Sequence, residues 1–448
     1  MGSPVLVFQT AKGTADRLSP KPPLSFGPAD PAAAAVLVDD GPRFQTIEGF
    51  GGAFTEAAAV TFYRMPAAIR AEILRAYFDP FAGHGYTLCR THINSCDFAL
   101  GNYAYDDVAG DIELQHFSIE HDRQALLPMI QEALQLTGTA LKLFASPWSP
   151  PAWMKTNGEM NHGGRLKPEC QAAWARYYAR YVQAYQKEGV PLWGLTVQNE
   201  PMATQTWDSC RYSAEEERDF VRDYLGPALA EAGLGRLRLM IWDHNRDGLY
   251  ERARTIYADP AAARYVWGAA FHWYVGDHFD NVQLTHDAFP QKQLLFSEGC
   301  QEGGPHYDEW EVGERYGHSM LQDLNRWTVG WVDWNLVLDQ TGGPNHVGNL
   351  CSAPLLANTQ TGQLYYHYSY DYIGHFARFI RPGAQRIACA STLDDLEATA
   401  FLNSDGRIAV VVLNRTDRPH PFELKYGGQA AGTISPAHSI NTYCFAAG

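Results

Sequence analysis

Two apolar runs that each end on a glutamate decide how this sequence folds: WGLTVQNEP, residues 193–201, and KQLLFSEG, residues 292–299. The first closes on Glu200 and Pro201, and the second on Glu298 and Gly299. A buried strand that carries a carboxylate at its C-terminal end, found twice, places ionisable groups where β/α barrels keep their catalytic residues. We therefore expect the two glutamates to work as a pair.

Strand-like runs alternate with helix-like runs through most of the chain, which is typical of parallel α/β architecture. Eight apolar runs, near residues 46, 86, 141, 193, 237, 266, 292 and 329, are candidate strands. Eight such units predict a (β/α)8 TIM barrel over residues 44–380. An open, doubly wound sheet is the alternative, but GFGGAF near residue 49 lacks the GxGxxG spacing expected there, and its glycines favour a tight turn at the barrel mouth.

The texture of the sequence changes after about residue 380. Short alternating segments follow, separated by turn-forming residues at 403–406 and 427–428. They predict a small β-sandwich over residues 381–448. Residues 1–43 contain two further strand-like pieces, VLVFQT and AAAVLVD, so we expect this segment to supply the remaining strands of the same sandwich.

The composition limits the classes of ligand. A net charge of −15 argues against nucleic acid, because binding phosphates requires clustered Lys and Arg. No apolar stretch approaches the ~18 to 20 residues of a membrane span. Aromatic residues make up 13% of the chain and suit sugar rings as well as a large core, so a neutral carbohydrate partner fits better than a charged one.

Cysteines and the N-terminus add further expectations. The eight cysteines show no metal-ligand spacing, so we expect no structural zinc and mostly isolated thiols, with one or two disulfides left open. MGSPVLVFQTAKG has no secretory leader, so the protein either stays in the cell or has lost a leader. The oligomeric state is left open.

The glutamate pair suits glycoside hydrolysis with retention of configuration. That reaction needs two carboxyl groups ~5 to 5.5 Å apart, one to protonate the leaving group and one to attack the sugar. Glu200 and Glu298 top the fourth and seventh predicted strands, which face each other across a barrel mouth. No metal and no organic cofactor are needed for this chemistry.

The chain resembles glycoside hydrolase family 30, in the branch that contains the lysosomal acid β-glucosidases that cleave glucosylceramide. The similar segments run from GFGGAFTEAAA through FASPWSPPAWMKTNG, TVQNEP and FSEGC to TISPAHSINTY. The resemblance implies a barrel with a β-sandwich built from both termini, Glu200 as the acid/base and Glu298 as the nucleophile. It also implies a sugar pocket formed by Asp97, Trp148, Asn199, His272, Tyr274, Trp334 and Asn349.

Within that pocket, Asn199 resembles a residue that hydrogen-bonds the sugar 2-OH, and Tyr274 one that donates to the nucleophile. We expect His272 to support the site from behind. Several residues depart from the lysosomal pattern. His92 and Asn94 suggest a more polar sugar site, His346 replaces an aromatic residue, and two residues after the fifth strand, Asp243 and His244, either face an extended subsite or cap a loop.

These observations predict a retaining β-glucosidase that works through a covalent glycosyl-enzyme on Glu298. A β-1,6-glucanase, a β-xylosidase or a β-fucosidase of the same family is the alternative. A carbohydrate-binding protein on an inactive hydrolase scaffold is less favoured, because both carboxylates are present.

Overall fold

A computed structural model describes residues 4–137 and 141–448 of the chain. The strands, in chain order, are β1 (Val5–Ala11), β2 (Ser19–Leu24), β3 (Gly27–Pro28), β4 (Ala35–Thr46), β5 (Gly49–Phe54), β6 (Leu88–Ile93), β7 (Lys142–Pro147), β8 (Gly194–Thr196), β9 (Arg238–Asn245), β10 (Gly268–His272), β11 (Gln293–Glu298), β12 (Gln301–Glu302), β13 (Thr328–Asn335), β14 (Val337–Asp339), β15 (Cys351–Ser352), β16 (Leu355–Asn358), β17 (Gln363–Tyr366), β18 (Gln385–Ser391), β19 (Leu396–Leu402), β20 (Arg407–Asn414), β21 (His420–Tyr426), β22 (Gln429–Ser435) and β23 (Ser439–Ala446). The α-helices are α1 (Glu56–Arg64), α2 (Ala67–Phe78), α3 (Leu126–Thr137), α4 (Gln171–Lys187), α5 (Ala214–Phe220), α6 (Gly226–Glu231), α7 (Leu249–Tyr257), α8 (Pro260–Ala263), α9 (Phe279–Ala288), α10 (Trp310–Leu324) and α11 (Tyr368–Ala377).

The eight predicted strands close into a parallel barrel. They pair in the order β5-β6-β7-β8-β9-β10-β11-β13, and β13 pairs back onto β5. Every one of these pairings is parallel. The predicted (β/α)8 barrel is confirmed, and the open doubly wound sheet is wrong. Apolar side chains from six strands fill the interior: Leu88, Phe144, Met240, Ala270, Leu295 and Val332.

The glycines of GFGGAF lie inside β5 and do not form the turn that the sequence predicts. A Cβ atom at Gly51 would lie 1.7 Å from the carbonyl oxygen of Leu88 in β6. Only glycine allows the two backbones to come this close. The motif therefore serves close packing of the first two barrel strands.

Helices cover the outside of the barrel, and their ends follow local capping chemistry. At the start of α5, Ser213 Oγ accepts from the backbone N–H of Glu216, and the Glu216 side chain accepts in return from Ser213 N–H. A π-helical turn, Val221–Leu225, joins α5 to α6. Among the described residues, none of these helices has the length and apolar character to cross a membrane.

A second sheet gathers strands from both ends of the chain. Its order is β2-β1-β23-β20-β19-β18-β4-β21-β22-β3, with β1 antiparallel to β23. The sheet curls so that β22 contacts β20 and β23, and the enclosed face forms a separate apolar core. This confirms a β-sandwich beside the barrel. His375 of α11 connects the two parts, because its ring hydrogen-bonds Thr10 in β1 and Thr442 in β23.

Candidate active site

A cavity of about 290 Å³ opens at the C-terminal ends of the barrel strands. Eight of the nine sequence-predicted site residues line it: Asp97, Trp148, Asn199, Glu200, Tyr274, Glu298, Trp334 and Asn349. The ninth, His272, is fully buried behind the wall of the cavity and contacts Glu200 from there. His272 is therefore placed to act on the glutamate and not to touch a ligand.

Glu298 is the last residue of β11 and is held by two donors. The hydroxyl of Tyr274 donates to Glu298 Oε1 at 2.8 Å. The guanidinium of Arg90 donates to Oε2, the other carboxylate oxygen. Arg90 is fully buried, so it is a fixed positive charge against this carboxylate. Both donors favour the ionised form of Glu298.

Glu200 has a different environment. It follows β8 by four residues and adopts a left-handed backbone conformation with a φ of 46°, a conformation that is costly for a residue with a Cβ atom. Its N–H donates to the backbone oxygen of Asp243 at 2.9 Å, which fixes the turn. Its carboxylate Oε1 lies 3.2 Å from His272 Nδ1 and 3.7 Å from His244 Nδ1.

A buried carboxylate, Asp243, connects the two environments. Its Oδ2 accepts from Arg90 at 2.7 Å and from Thr196 Oγ1 at 2.6 Å. Its Oδ1 accepts from Ser297 Oγ at 2.6 Å and lies 3.0 Å from His272 Nε2. Asp243 therefore orients Arg90, which bonds to Glu298, and His272, which bonds to Glu200.

The charges of this network shift the pKa values of its members. Burial disfavours protonation of His272, but the nearby charge of Glu298 and the two hydrogen-bonded carboxylates outweigh burial and raise the pKa of His272 to about 9. Burial also opposes ionisation of Glu200, yet the His272 hydrogen bond and the neighbouring His244 lower its pKa. The pKa of Glu298 is raised, because burial and the Glu200 charge exceed the lowering by His272, Arg90 and Tyr274. The surroundings therefore favour ionisation of Glu200 more than ionisation of Glu298.

Aromatic and polar groups form the rest of the wall. Trp148 and Trp334 stack on each other with ring centroids 5.1 Å apart and planes 17° apart. Asn349 Nδ2 donates to Asp97 Oδ2 at 3.0 Å, and burial raises the pKa of Asp97 to about 7. Asn199 Oδ1 accepts from Arg90 at 2.9 Å. Flat rings with a few polar groups between them suit a sugar.

Comparison with known proteins identifies the family. Residues 47–380 match the model of the glycosyl hydrolase family 30 TIM-barrel domain, and residues 383–443 match that of the family 30 beta sandwich domain. The chain belongs to glycoside hydrolase family 30. The protein is therefore a glycoside hydrolase, and its substrate class is carbohydrate.

Three relatives of this family 30 hydrolase are informative. Lysosomal acid glucosylceramidase of Mus musculus is 36% identical over 421 residues, which cover 90% of this chain and 81% of that protein. The crystal structure of SrfJ from Salmonella typhimurium matches with a TM-score of 0.94 and 39% identity over 100% of both chains. The structure of the endo-β1,6-glucanase BT3312 matches with a TM-score of 0.90 and 28% identity, covering 99% of this chain and 100% of that one.

Two expectations about individual residues are wrong. His92 and Asn94 do not make the sugar site more polar, because both are fully buried and hydrogen-bonded away from the cavity. Asp243 neither faces a subsite nor caps a loop, since it lies beneath the pocket with no exposed surface. His346, which departs from the lysosomal pattern, pairs with Asp208 at 3.1 Å and lies outside the cavity wall, so the structure contradicts no expectation about it.

Arg90 is the central site residue that the sequence did not reveal. It lies in β6, within the run YTLCRTHIN, where it is the one charged residue among apolar and small polar ones. A fully buried arginine requires carboxylate partners. The available signal was a positively charged residue within a predicted barrel strand. Nothing in the sequence, however, identifies Glu298 and Asp243 as its partners.

One group in the described ranges has the spacing of a cation site. Ligand atoms of Glu200, His244 and His272 all lie within 4.8 Å of one another. Both ring nitrogens of His272 already face carboxylates, so the ring has no free lone pair for an ion in its present pairing. The cluster is better described as a carboxylate that is hydrogen-bonded to His272 and lies beside a second imidazole, His244.

Proposed function

We propose that this hydrolase is a retaining β-glucosidase, with Glu298 as the nucleophile and Glu200 as the acid/base. The observation that carries the proposal is the unequal support of the two carboxylates. Glu298 has a donor on each oxygen, one of them a permanent cation. Among the residues that the structure describes, the Glu200 carboxylate has only the titratable imidazole of His272 within hydrogen-bond distance. A nucleophile must be ionised and fixed, and an acid/base must gain and lose a proton.

In the first step, Glu298 attacks the anomeric carbon while Glu200 protonates the departing oxygen. A covalent glycosyl-enzyme forms on Glu298, and the Glu200 carboxylate that results is stabilised by the protonated His272. In the second step, Glu200 takes a proton from water, the water oxygen attacks the same carbon, and the bond between that carbon and Glu298 breaks, which releases the sugar and the Glu298 carboxylate. Two inversions give overall retention.

A bound substrate changes the surroundings of the two glutamates. Within the protein alone, the pKa of Glu200 is lowered and that of Glu298 is raised. The glycosidic oxygen of a bound sugar is a hydrogen-bond acceptor beside Glu200, and positive charge develops at the carbon beside Glu298. Both effects favour a protonated Glu200 and an ionised Glu298. We propose that a bound sugar raises the pKa of Glu200 and lowers that of Glu298.

The identity of the leaving group distinguishes the candidate substrates. Similarity to a lysosomal glucosylceramidase supports glucosylceramide as a substrate, cleaved by an exo-acting enzyme. Similarity to an endo-β1,6-glucanase supports a β-1,6-glucan as the second candidate. A β-xylosidase or β-fucosidase activity is a further alternative within the family. The aromatic rings of Trp148 and Trp334 suit all of these sugars and therefore do not select among them.

A substrate panel tests the proposal. We expect turnover of aryl β-glucoside above that of the matching xyloside, fucoside and quinovoside, with glucosylceramide and β-1,6-glucan assayed beside them. The Glu298→Gln variant is the control for contaminating glycosidases, and it is expected to lose almost all turnover. Near-normal activity of that variant in a clean preparation would contradict the nucleophile assignment. A xyloside or fucoside preferred over the glucoside would contradict the substrate class.

A further inference from the structure

His244 lines the catalytic cavity next to Glu200 and has no role in the steps above. Its Nδ1 atom is enclosed and makes no hydrogen bond to any residue that the structure describes. The same atom lies 3.7 Å from Glu200 Oε1, just beyond hydrogen-bond distance. Buried polar nitrogens are normally hydrogen-bonded, so the absence of a bond between this nitrogen and the carboxylate that it faces requires an explanation.

The backbone directs His244 into the cavity. The pairing of β9 with β10 shifts register here, because Trp242 pairs with Ala270 and His244 pairs with Phe271, so Asp243 is an extra residue. Trp242 and Asp243 both have positive φ, 73° and 53°. Bulges of this kind re-aim a side chain next to active sites. The His244 ring then packs on Trp242, with centroids 5.0 Å apart.

The chemistry of the ring follows from its neighbours. Burial and the His272 charge lower the pKa of His244 against the opposing charges of Glu200, Asp247 and Asp243, so the imidazole is neutral. A neutral imidazole has one N–H donor and one acceptor nitrogen. Because Nδ1 faces the Glu200 carboxylate, Nδ1 carries the hydrogen. Nε2 is then an acceptor, and it is not among the enclosed atoms.

We propose that His244 determines leaving-group specificity: Nδ1–H bonds to Glu200, and Nε2 accepts a hydrogen bond from a hydroxyl group of the leaving alcohol. The inference rests on the proposed acid role of Glu200. It gives the enzyme a preference for leaving groups that are themselves polyols over simple alkyl alcohols. Gln205 and Trp207, which line the same cavity from the segment after Glu200, add an amide and an aromatic ring for such a group.

Kinetics with two glucosides tests the specificity. Gentiobiose has a sugar as its leaving group, and octyl β-glucoside has an alcohol without further hydroxyls. We expect His244→Phe to lower kcat/KM for gentiobiose about tenfold more than for octyl β-glucoside, since only gentiobiose loses the hydrogen bond to the leaving group, whereas any effect through Glu200 acts on both substrates. His244→Gln, which keeps a donor and an acceptor, should recover part of the loss. Equal losses on both substrates, or no loss on gentiobiose, would overturn the proposal.

A second measurement does not depend on turnover. In protein with ¹⁵N-labelled histidine, the His244 signal, assigned by its loss in His244→Gln, should show a neutral ring with the proton on Nδ1. Adding gentiobiose to the Glu298→Gln variant should shift the Nε2 resonance. A protonated ring, the opposite tautomer or an unmoved resonance would refute the assignment. If wild-type enzyme hydrolyses neither glucoside, that result contradicts the proposed function but not the proposal about His244. The Nε2 resonance still shows whether His244 contacts the sugar.

Discussion

Removing the hydroxyl of Tyr274 tests how the nucleophile is kept ionised. The Tyr274→Phe variant keeps the ring in the cavity wall and deletes one atom, the donor that lies 2.8 Å from Glu298 Oε1. Arg90 remains on the other carboxylate oxygen. Because burial already raises the pKa of Glu298, the loss of a donor that lowers this pKa moves it further upward.

The size of the effect follows from the strength of the bond. A hydrogen bond to a charged group contributes about 1.5 to 3 kcal/mol. Since about 1.36 kcal/mol corresponds to one pKa unit, the acidic limb of the kcat/KM profile should move to higher pH by about one to two pH units. On that limb the variant should be about 10- to 150-fold slower than wild type. On the alkaline side of the limb the rates should converge.

The assay is kcat/KM for an aryl β-glucoside across the pH range in which both proteins stay folded. Tyr63→Phe is the matched control, because the hydroxyl of Tyr63 also donates to a carboxylate, Glu132, at 2.8 Å, but lies in α1 outside the cavity. Its profile should coincide with that of wild type. A Tyr274→Phe profile whose acidic limb has not moved, or a loss of the same size at every pH, would refute the reasoning.

Three further results are expected. Glu200→Ala should slow glucosides with poor leaving groups far more than activated aryl glucosides, because only the former need a proton, and equal losses in kcat/KM would count against the acid role. Asp323→Ala should lower the free energy of unfolding, measured by chemical denaturation, by about 3 to 5 kcal/mol. Arg246 bonds to Asp323 at 2.9 and 2.6 Å, and the variant leaves it as an unpaired buried cation. A loss of stability no larger than that of the exposed control Asp405→Ala would refute this. The pKa of His272 is about 6.5 in the unfolded chain and about 9 in the folded protein. Wild type should therefore be more stable than His272→Gln by its full margin below about pH 6.5, and this margin should fall as the pH rises through about 9. An advantage that grows with pH would contradict the charged state of His272.

Periodicity and strand ends were enough to predict the barrel. The eight apolar runs correspond to eight paired strands, and Glu298 ends β11 as expected. Strands without an apolar pattern were missed. β2 has the sequence SPKPPL, whose prolines indicate a loop, yet it pairs with β1 at the edge of the sheet, where prolines are tolerated.

The network beneath the site was beyond prediction for a different reason. Asp243 is reached by Arg90, Thr196 and Ser297 from three other strands, and such long-range pairings leave no local pattern. The direction of the Asp243 side chain also depends on a bulge in β9, which displaces it from the strand alternation that a sequence pattern assumes. His92 shows the reverse error, because a polar residue near the site is fully satisfied by the backbone.

The most direct test of the central claim is to identify the carboxylate that forms the covalent bond. A 2-deoxy-2-fluoroglucosyl fluoride slows both steps but retains a good leaving group, so a glycosyl-enzyme should accumulate. Intact mass should increase by one fluoroglucosyl unit, and peptide mapping should place it on Glu298, whose two oxygens are held by Tyr274 and Arg90. A label on Glu200, or an enzyme that turns over aryl β-glucosides and takes up no label, would contradict the account.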